Sequence, residues 1–333
     1  MKDSTYKALV VSETGEGTFN REVQTRSVSS LPPHEVLIEV HYSSLNYKDA
    51  LSATGNKGVT RQFPHTPGID AAGVVVESDS SRFNKGDKVI VTSFDLGQNT
   101  PGGFGQYISV PAGWIVPLPE GLSLKESMIL GTAGFTAAYG VYKIVENGTA
   151  PEDGPLLVTG ATGGVGSFAI ALLSERGYEV TAATGKLDQQ DYLKYLGARQ
   201  VIGRDSVMTG PDKPLLKSKW AGALDTVGGA VLDRIIRQTK HNGTVACCGN
   251  VLGGHLNTSI YPFILRGVSL MGIDSGICLM PMRKQIWHLL ATDWKIDKLS
   301  EMYHEATLDT LEKEIEKILK GKQVGRVLVN LKK

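Results

Sequence analysis

Two textures of apolar and polar positions divide this 333-residue chain. Over about the first 120 residues, short β-branched runs at Tyr6–Val11, Val36–Tyr42, Gly73–Glu77 and Lys88–Thr92 alternate with Gly, Pro and Asn turn signals. That pattern predicts a β-rich unit, a small barrel or folded sheet. From Ser123 onward, helix-compatible segments alternate with short apolar strands at Leu156–Thr159, Glu179–Ala183, Gln200–Ile202, Ala221–Asp225 and Thr244–Cys248. Such alternation predicts βαβ units on a parallel sheet. Between the second and third of these strands, Asp188 marks a helix start and Gly197 its end. After Ile260 the chain predicts a strand at Val268–Gly272, helices near Pro281–Ala291 and Leu308–Lys320, and a closing strand at Arg326–Asn330. These last pieces are too few for a third domain and are expected to complete the first.

The strongest local signal is LLVTGATGGVGSFAIALL at Leu156–Leu173. An apolar run stops at a glycine cluster, and a helical period begins at once with Val165, Phe168, Ala169 and Leu172. The turn reads Ala161-x-Gly163-x-x-Gly166 in the strand–turn–helix context of a dinucleotide-binding fingerprint. Small residues let the backbone approach a pyrophosphate, and the first helical amides present the positive end of the helix dipole. Thr162, Gly163, Gly164 and Val165 are therefore expected to bind the cofactor. The plainer alternative is a glycine-rich turn that binds nothing.

NAD-preferring folds place a carboxylate at the end of the next strand, on the ribose 2′-hydroxyl. Here that strand ends in Ala183-Thr184-Gly185-Lys186, with no carboxylate. A 2′-phosphate would find donors at Thr184 and Gly185 and a charge-assisted partner in Lys186. NADPH is the expected cofactor. The competing reading of Lys186 is an ordinary solvated lysine ahead of a helix.

Composition narrows the partners. Net charge is +1, with 35 basic and 34 acidic side chains, and no basic stripe points to nucleic acid or an anionic membrane. No signal-peptide segment and no apolar run near the ~18 residues of a membrane helix is legible. The three cysteines form no CxxC pair, and the seven histidines no H-x-x-H or HExxH. The pattern predicts no metal site and a soluble protein of a reducing cytoplasm with a small-molecule substrate. Cys247 and Cys248 are adjacent in an apolar strand, so they are expected on opposite faces, in the core.

Seven strings spread over the chain carry a family resemblance: SSLNYKDAL at Ser43–Leu51, PGIDAAGVV at Pro67–Val75, GTAGFTAAYG at Gly131–Gly140, VTGATGGVGS at Val158–Ser167, YLKYLGA at Tyr192–Ala198, DTVGG at Asp225–Gly229 and PFILRGVSLMGIDS at Pro262–Ser275. Together they resemble the medium-chain dehydrogenase/reductase superfamily, in its zinc-free quinone oxidoreductase branch, and most of all the subgroup that includes NADPH-dependent acryloyl-CoA reductases. The resemblance implies an α/β fold: a Rossmann doubly wound parallel sheet domain, residues 124–265, inserted in a β-rich GroES-like catalytic domain, residues 1–123 and 266–333. It implies a cofactor contact at Arg204, places Asn250, Ile264 and Ser275 near the nicotinamide half, and implies a homodimer formed around Pro262–Ile273. Zinc-dependent members hold metal through a cysteine where this chain has Asn46 and a histidine where it has Ile69. The third ligand and the four-cysteine lobe, expected near Gly131–Gly134 and Leu96–Tyr107, are also missing.

Without a Lewis acid, the natural reaction is hydride addition to a carbon that is already electrophilic, as in enones, enoyl thioesters and quinones. Tyr47 is expected to contact the nicotinamide or a substrate carbonyl, as proton donor, and Asn46 to hold the carbonyl oxygen. Lys48 and Asp49 either join that site or face solvent. Asp70 reads equally as a substrate group or a turn-stabilising residue. Asp225 and Asn250 sit at strand ends where such sheets bind ligands. Arg326 is expected either to meet a phosphate or to lie on the surface. Two rival functions are a non-catalytic NADPH-binding module and an alcohol dehydrogenase.

Overall fold

A computed structural model describes residues 4–333. In chain order the elements are β1 (Thr5–Gly15), β2 (Thr18–Ser27), β3 (Val36–Ser44), α1 (Tyr47–Ala53), β4 (Asp70–Ser78), β5 (Lys88–Thr92), β6 (Tyr107–Val110), β7 (Ile115–Pro117) and α2 (Leu124–Glu146). Next come β8 (Leu156–Thr159), α3 (Gly164–Glu175), β9 (Val180–Thr184), α4 (Gln190–Tyr195), β10 (Gln200–Gly203), α5 (Arg204–Met208), β11 (Trp220–Asp225), α6 (Gly229–Gln238), β12 (Thr239–Cys247), α7 (Tyr261–Arg266) and β13 (Ser269–Gly272). The chain closes with α8 (Met280–Ala291), β14 (Tyr303–Ala306), α9 (Leu311–Leu319) and β15 (Arg326–Asn330).

One compact unit comprises residues 4–132, 276–292 and 299–333. It holds the β1–β2 hairpin and a sheet ordered β14-β15-β3-β4-β5-β7, with β6 also paired to β3. Alternate residues of β3, Val36, Ile38 and Val40, are buried, the period of two that a one-sided sheet requires. They share a core with Val89, Val91, Ile108 and Val329, which Leu311 and Ile315 of α9 cover. The closing strand β15 pairs antiparallel with β3, so the C-terminal residues complete the sheet that the N-terminal ones begin.

The other unit, residues 133–275 and 293–298, is a six-stranded parallel sheet ordered β10-β9-β8-β11-β12-β13. Strand order reverses beside β8, the switch point at which such sheets leave a ligand crevice.

Several sequence expectations need correction. The boundary at 265/266 would assign β13 to the first unit, but β13 pairs with β12 from Thr244↔Ser269 to Cys247↔Gly272 and extends the parallel sheet. The boundary at 123/124 falls at the start of α2, whereas the division comes at 132/133, next to a kink at Gly131 with φ 52° and ψ −157°. A Cβ there would lie 2.3 Å from Ser44 Oγ and 2.5 Å from Asp70 Oδ2, so only glycine lets the chain pass. Residues 1–3 of the expected first domain lie outside the described residues. Contrary to the sequence expectation, the 23-residue α2 is long and apolar enough to cross a membrane by length and composition, but 72% of its most apolar stretch is buried within the protein. Strand β2 escaped prediction because TFNREVQTRS is mostly polar and gains order from pairing with β1.

Candidate active site

In the β-rich unit, the end of β3, the start of α1 and the start of β4 converge on a buried polar cluster. Asn46 sits in extended conformation at the N-cap of α1, and Asp49, three residues on, reaches back to accept from the Asn46 amide at 2.7 Å. The other Asp49 oxygen accepts from the Ile69 amide at 2.8 Å. Asp70 accepts from Ser44 Oγ at 2.6 Å, Asn46 Nδ2 at 2.8 Å, the Thr132 amide at 2.9 Å and Thr132 Oγ1 at 2.6 Å. Both carboxylates are fully buried. Arg326, at the start of β15, donates to Leu45 O at 3.0 Å, Asn46 Oδ1 at 3.2 Å and Ile129 O at 3.3 Å, and its Nη2 lies 3.9 Å from Asp70 Oδ2.

Burial, and secondly the neighbouring Asp70 charge, push Asp49 up to about 7. The Arg326 guanidinium is held below its ordinary range by burial, against the attraction of Asp70 and Asp49. One buried cation therefore faces two buried carboxyl groups, and hydrogen bonds to backbone and hydroxyl donors offset their desolvation.

This geometry revises three roles. The Asn46 amide is engaged at both ends: Oδ1 by Arg326, and Nδ2 by Asp70 at 2.8 Å with Asp49 at 3.3 Å. It is better placed to orient its neighbours than to grip a substrate carbonyl. Arg326 is 4% exposed, neither a surface residue nor a phosphate contact. Asp70 is neither a turn residue nor exposed to a ligand. By contrast Tyr47, the first residue of α1, is 49% exposed, and Lys48 is exposed too. The cluster therefore holds the helix end that presents the Tyr47 phenol. Ser44 and Thr132 were missed, although they lie in the strings SSLNYKDAL and GTAGFTAAYG, because nothing local marks their hydroxyls; only the folded chain brings them to Asp70.

In the parallel-sheet unit, the turn between β8 and α3 has the glycine logic its sequence predicts. Gly160 takes φ 58°. Gly166 packs so closely that a Cβ would lie 2.4 Å from Gly160 O. The α3 cap, Gly163, makes no side-chain cap bond, so no side chain of its own closes off the first helical amides, beside Thr162, Gly164 and Val165. At the end of β9, Thr184 is buried and its Oγ1 accepts from the Lys186 amide at 2.9 Å. The exposed Arg204 opens α5 with its guanidinium 3.9 Å from where a Gly185 Cβ would sit. Thr184, Gly185, Lys186 and Arg204 are thus brought together, with no carboxylate among them.

Asp225 is tied down by Thr159 Oγ1 at 2.6 Å and the Gly228 amide at 2.7 Å, and burial raises its pKa. It fastens the ends of β8 and β11 to each other. Beyond it a cavity of about 570 Å³ is lined by Gly228, Cys247, Cys248, Asn250, His255 and Gly272, among others. The two cysteines therefore share a cavity wall, against the expectation that both are core. Strand β12 ends at Cys247, so the alternation of faces does not extend to Cys248. Ser275 accepts from Thr136 Oγ1 at 2.7 Å. Ile264 is 62% exposed on α7 and does not line the cavity.

Residues 32–120 match the family described as the alcohol dehydrogenase GroES-like domain, and residues 164–292 that described as zinc-binding dehydrogenase. YhfP of Bacillus subtilis, provisionally named a quinone oxidoreductase, is 46% identical over 98% of this chain and 100% of its own length. The acrylyl-CoA reductase AcuI of Ruegeria pomeroyi is 44% identical, over 98% of this chain and 99% of its own. Among solved structures, the YhdH oxidoreductase of Salmonella enterica in complex with NADP superposes with a TM-score of 0.94 at 42% identity, covering 97% and 99% of the two chains. The B. subtilis YhfP structure with NAD bound gives 0.95 at 45% identity, covering 99% and 100%.

The second family description names zinc, but the donors present do not fit it. Among the described residues, no three His, Cys, Asp or Glu side chains come together as a metal would require. The carboxylates of Asp49 and Asp70 already accept from amides and hydroxyls. With its two domain matches and its near-full-length relatives, the chain belongs to the medium-chain dehydrogenase/reductase superfamily, in the quinone oxidoreductase branch that contains the acryloyl-CoA reductase-like proteins.

Proposed function

We propose that this protein is an NADPH-dependent oxidoreductase that reduces an activated double bond, in an enone or an enoyl thioester such as acryloyl-CoA, or a quinone. The observation that carries the reading is the end of β9, where Thr184, Gly185, Lys186 and Arg204 meet without a carboxylate. A relative at 44% identity bears the name acrylyl-CoA reductase, and one at 42% was solved with NADP. Another, at 45%, was solved with NAD, so the preference for the phosphorylated cofactor rests on this chain's own residues.

NADPH, when bound, supplies the hydride. The amides at Thr162, Gly163, Gly164 and Val165 would hold its diphosphate at the positive end of α3. Lys186 and Arg204 would pair with the 2′-phosphate, with Thr184 and the Gly185 amide as further donors. Asn250, Ile264 and Ser275 would flank the nicotinamide half. The Tyr47 phenol would hydrogen-bond the acceptor carbonyl and deliver the proton, while Asn46 fixes the helix end behind it. No step is assigned to a metal.

A homodimer is supported by the exposed Ile260, Tyr261, Ile264 and Leu265 beside β13, which is an edge strand of the parallel sheet. The cytoplasm fits three cysteines that form no disulfide.

The test follows NADPH absorbance with acryloyl-CoA, simple enones, quinones and aldehydes, with and without a chelator. Turnover of the alkenes or quinones, insensitive to chelation, is expected. Turnover of aldehydes alone, abolished by chelation, or tight NADPH binding with no turnover at all, would overturn the proposal. Lys186→Asp is expected to raise the Michaelis constant for NADPH at least tenfold more than that for NADH; equal effects would remove the assignment of the phosphate site.

A further inference from the structure

A second cavity, of about 40 Å³, lies within the β-rich unit, between the β1–β2 hairpin and the segments at residues 64–66 and at Pro101. None of the residues assigned to the cofactor or to the Asp49–Asp70 cluster lines it. Tyr6 of β1 and Arg26 of β2 stand opposite each other in the ladder, so their side chains share one face. Tyr6 is 6% exposed, and its ring meets Tyr107 edge-on with centroids 5.8 Å apart. Burial raises the Tyr6 phenol above its ordinary range, and the nearby Arg26 charge opposes that rise. Thr66 is 7% exposed, and its carbonyl is fixed by the Gly102 amide at 2.7 Å.

These side chains are not satisfied by the chain itself. Among the described residues, nothing hydrogen-bonds to the Tyr6 phenol, the Thr66 hydroxyl or the half-buried Arg26 guanidinium. No carboxylate lines the cavity. Buried polar groups ordinarily find partners, so three unmatched donors around one cavity mark a place for an acceptor. His65 lines the cavity too, but burial holds its imidazole below the ordinary range, and its ring is engaged by the Gly97 backbone. At neutral pH the positive charge of the cavity is therefore that of Arg26 alone.

We propose that this cavity binds a short-chain carboxylate, whose head accepts hydrogen bonds from Arg26, Tyr6 and Thr66. A cavity needs roughly 10–15 Å³ for each water-sized group it holds, so this one takes about three heavy atoms, the carbon and two oxygens of a carboxylate. A phosphate is larger. The guanidinium fork matches the edge of a carboxylate with two parallel N–H bonds, and such charge-assisted pairs are the strong ones. Leu31, Pro64 and Pro101 border the polar groups and offer an apolar rest for a chain of one or two carbons. The Tyr6 ring and Thr66 are held in place before a ligand arrives, so only Arg26 is ordered by binding. The proposal does not depend on which acceptor the protein reduces.

The test is saturation-transfer NMR on the propionate methyl with the full-length protein at neutral pH, with calorimetry for the affinity. A dissociation constant on the order of 1–10 mM is expected. Arg26→Gln should weaken binding at least about tenfold and Tyr6→Phe about fivefold, as the loss of a charge-assisted hydrogen bond dictates. Where Arg26→Gln fails to fold, Arg26→Lys keeps the charge, loses the fork and shows a smaller loss of the same sign. Tyr47→Phe, which lies outside the cavity, should leave propionate binding unchanged. No saturation transfer well above the expected constant, which would leave the cavity to water alone, overturns the proposal. So does binding that survives Arg26→Gln, and so does inorganic phosphate that binds as tightly as propionate. Neither NADPH nor turnover enters the readout. A protein that binds propionate here yet oxidises no NADPH keeps this inference and loses the proposed function, and the reverse result does the opposite.

Discussion

Replacing Arg326 by methionine removes the one cation from the buried cluster of Asp49 and Asp70 while keeping most of the side-chain volume. Three hydrogen bonds disappear with the guanidinium, to Leu45 O, Asn46 Oδ1 and Ile129 O, and their acceptors stay buried. Removing one partner of a buried charge cluster costs roughly 3–5 kcal/mol, because the remaining charge is left uncompensated. The loss is expected to depend on pH. Asp49 titrates near 7 in the folded protein, against a reference of 3.8, so between those values the folded state holds more protons than the unfolded state. Stability therefore falls as pH rises through this window, by at most about 4 kcal/mol for this one group. Without the attraction of Arg326, Asp49 resists ionisation further, so Arg326→Met should be more damaging at pH 8 than at pH 5.5. With two compact units a single unfolding transition is not assured. The assay is accordingly native-state hydrogen exchange read on the peptides of β3, α1 and β15. A loss under about 1 kcal/mol at both pH values, or a larger loss at pH 5.5 than at pH 8, refutes the account of the cluster.

Two other substitutions probe the proposed site. Gly166→Ala drives a Cβ to within 2.4 Å of Gly160 O and 2.8 Å of the Ala161 Cα, so the turn must open. Destabilisation of about 1–3 kcal/mol in thermal unfolding and weaker NADPH binding in calorimetry are expected, and unchanged affinity would show that the turn does not seat the diphosphate. Tyr47→Phe deletes only the hydroxyl of a half-exposed residue, so the melting temperature should hold. Turnover should fall by about 10²-fold or more if the phenol delivers the proton, and an unchanged turnover number removes that role.

Much of the fold was legible because the local code is strong where burial is one-sided or complete. Lys88–Thr92, Leu156–Thr159 and Arg326–Asn330 were read with the bounds they have, since each is an apolar run closed by turn signals. The start of β12 was read five residues late because Lys240, His241 and Asn242 are polar, and pairing with Trp220 holds that end of the strand. The edge strand β14, YHEA, carries no pattern of its own and is ordered by β15. Among candidate site residues, Gly163, Gly166, Thr184 and Lys186 were identifiable because the βα turn is local and each demand falls on one residue. The distant partners of Asn46 were not, since Asp70 and Arg326 stand 24 and 280 positions away from it and meet it only through β3, β4 and β15.

Sequence alone determined the alternation of strands and helices from β8 to β12, the glycine turn between β8 and α3 and the missing carboxylate after β9, because each is set by side chains within a few residues of one another. Tertiary structure decided that β13 extends the parallel sheet, that Arg326 is buried rather than exposed, that Asn46 orients α1 rather than grips a carbonyl, and that Cys247 and Cys248 share a cavity wall. Each of those outcomes depends on which distant backbone or charge lies alongside, and a residue's own neighbours in the chain carry no record of that.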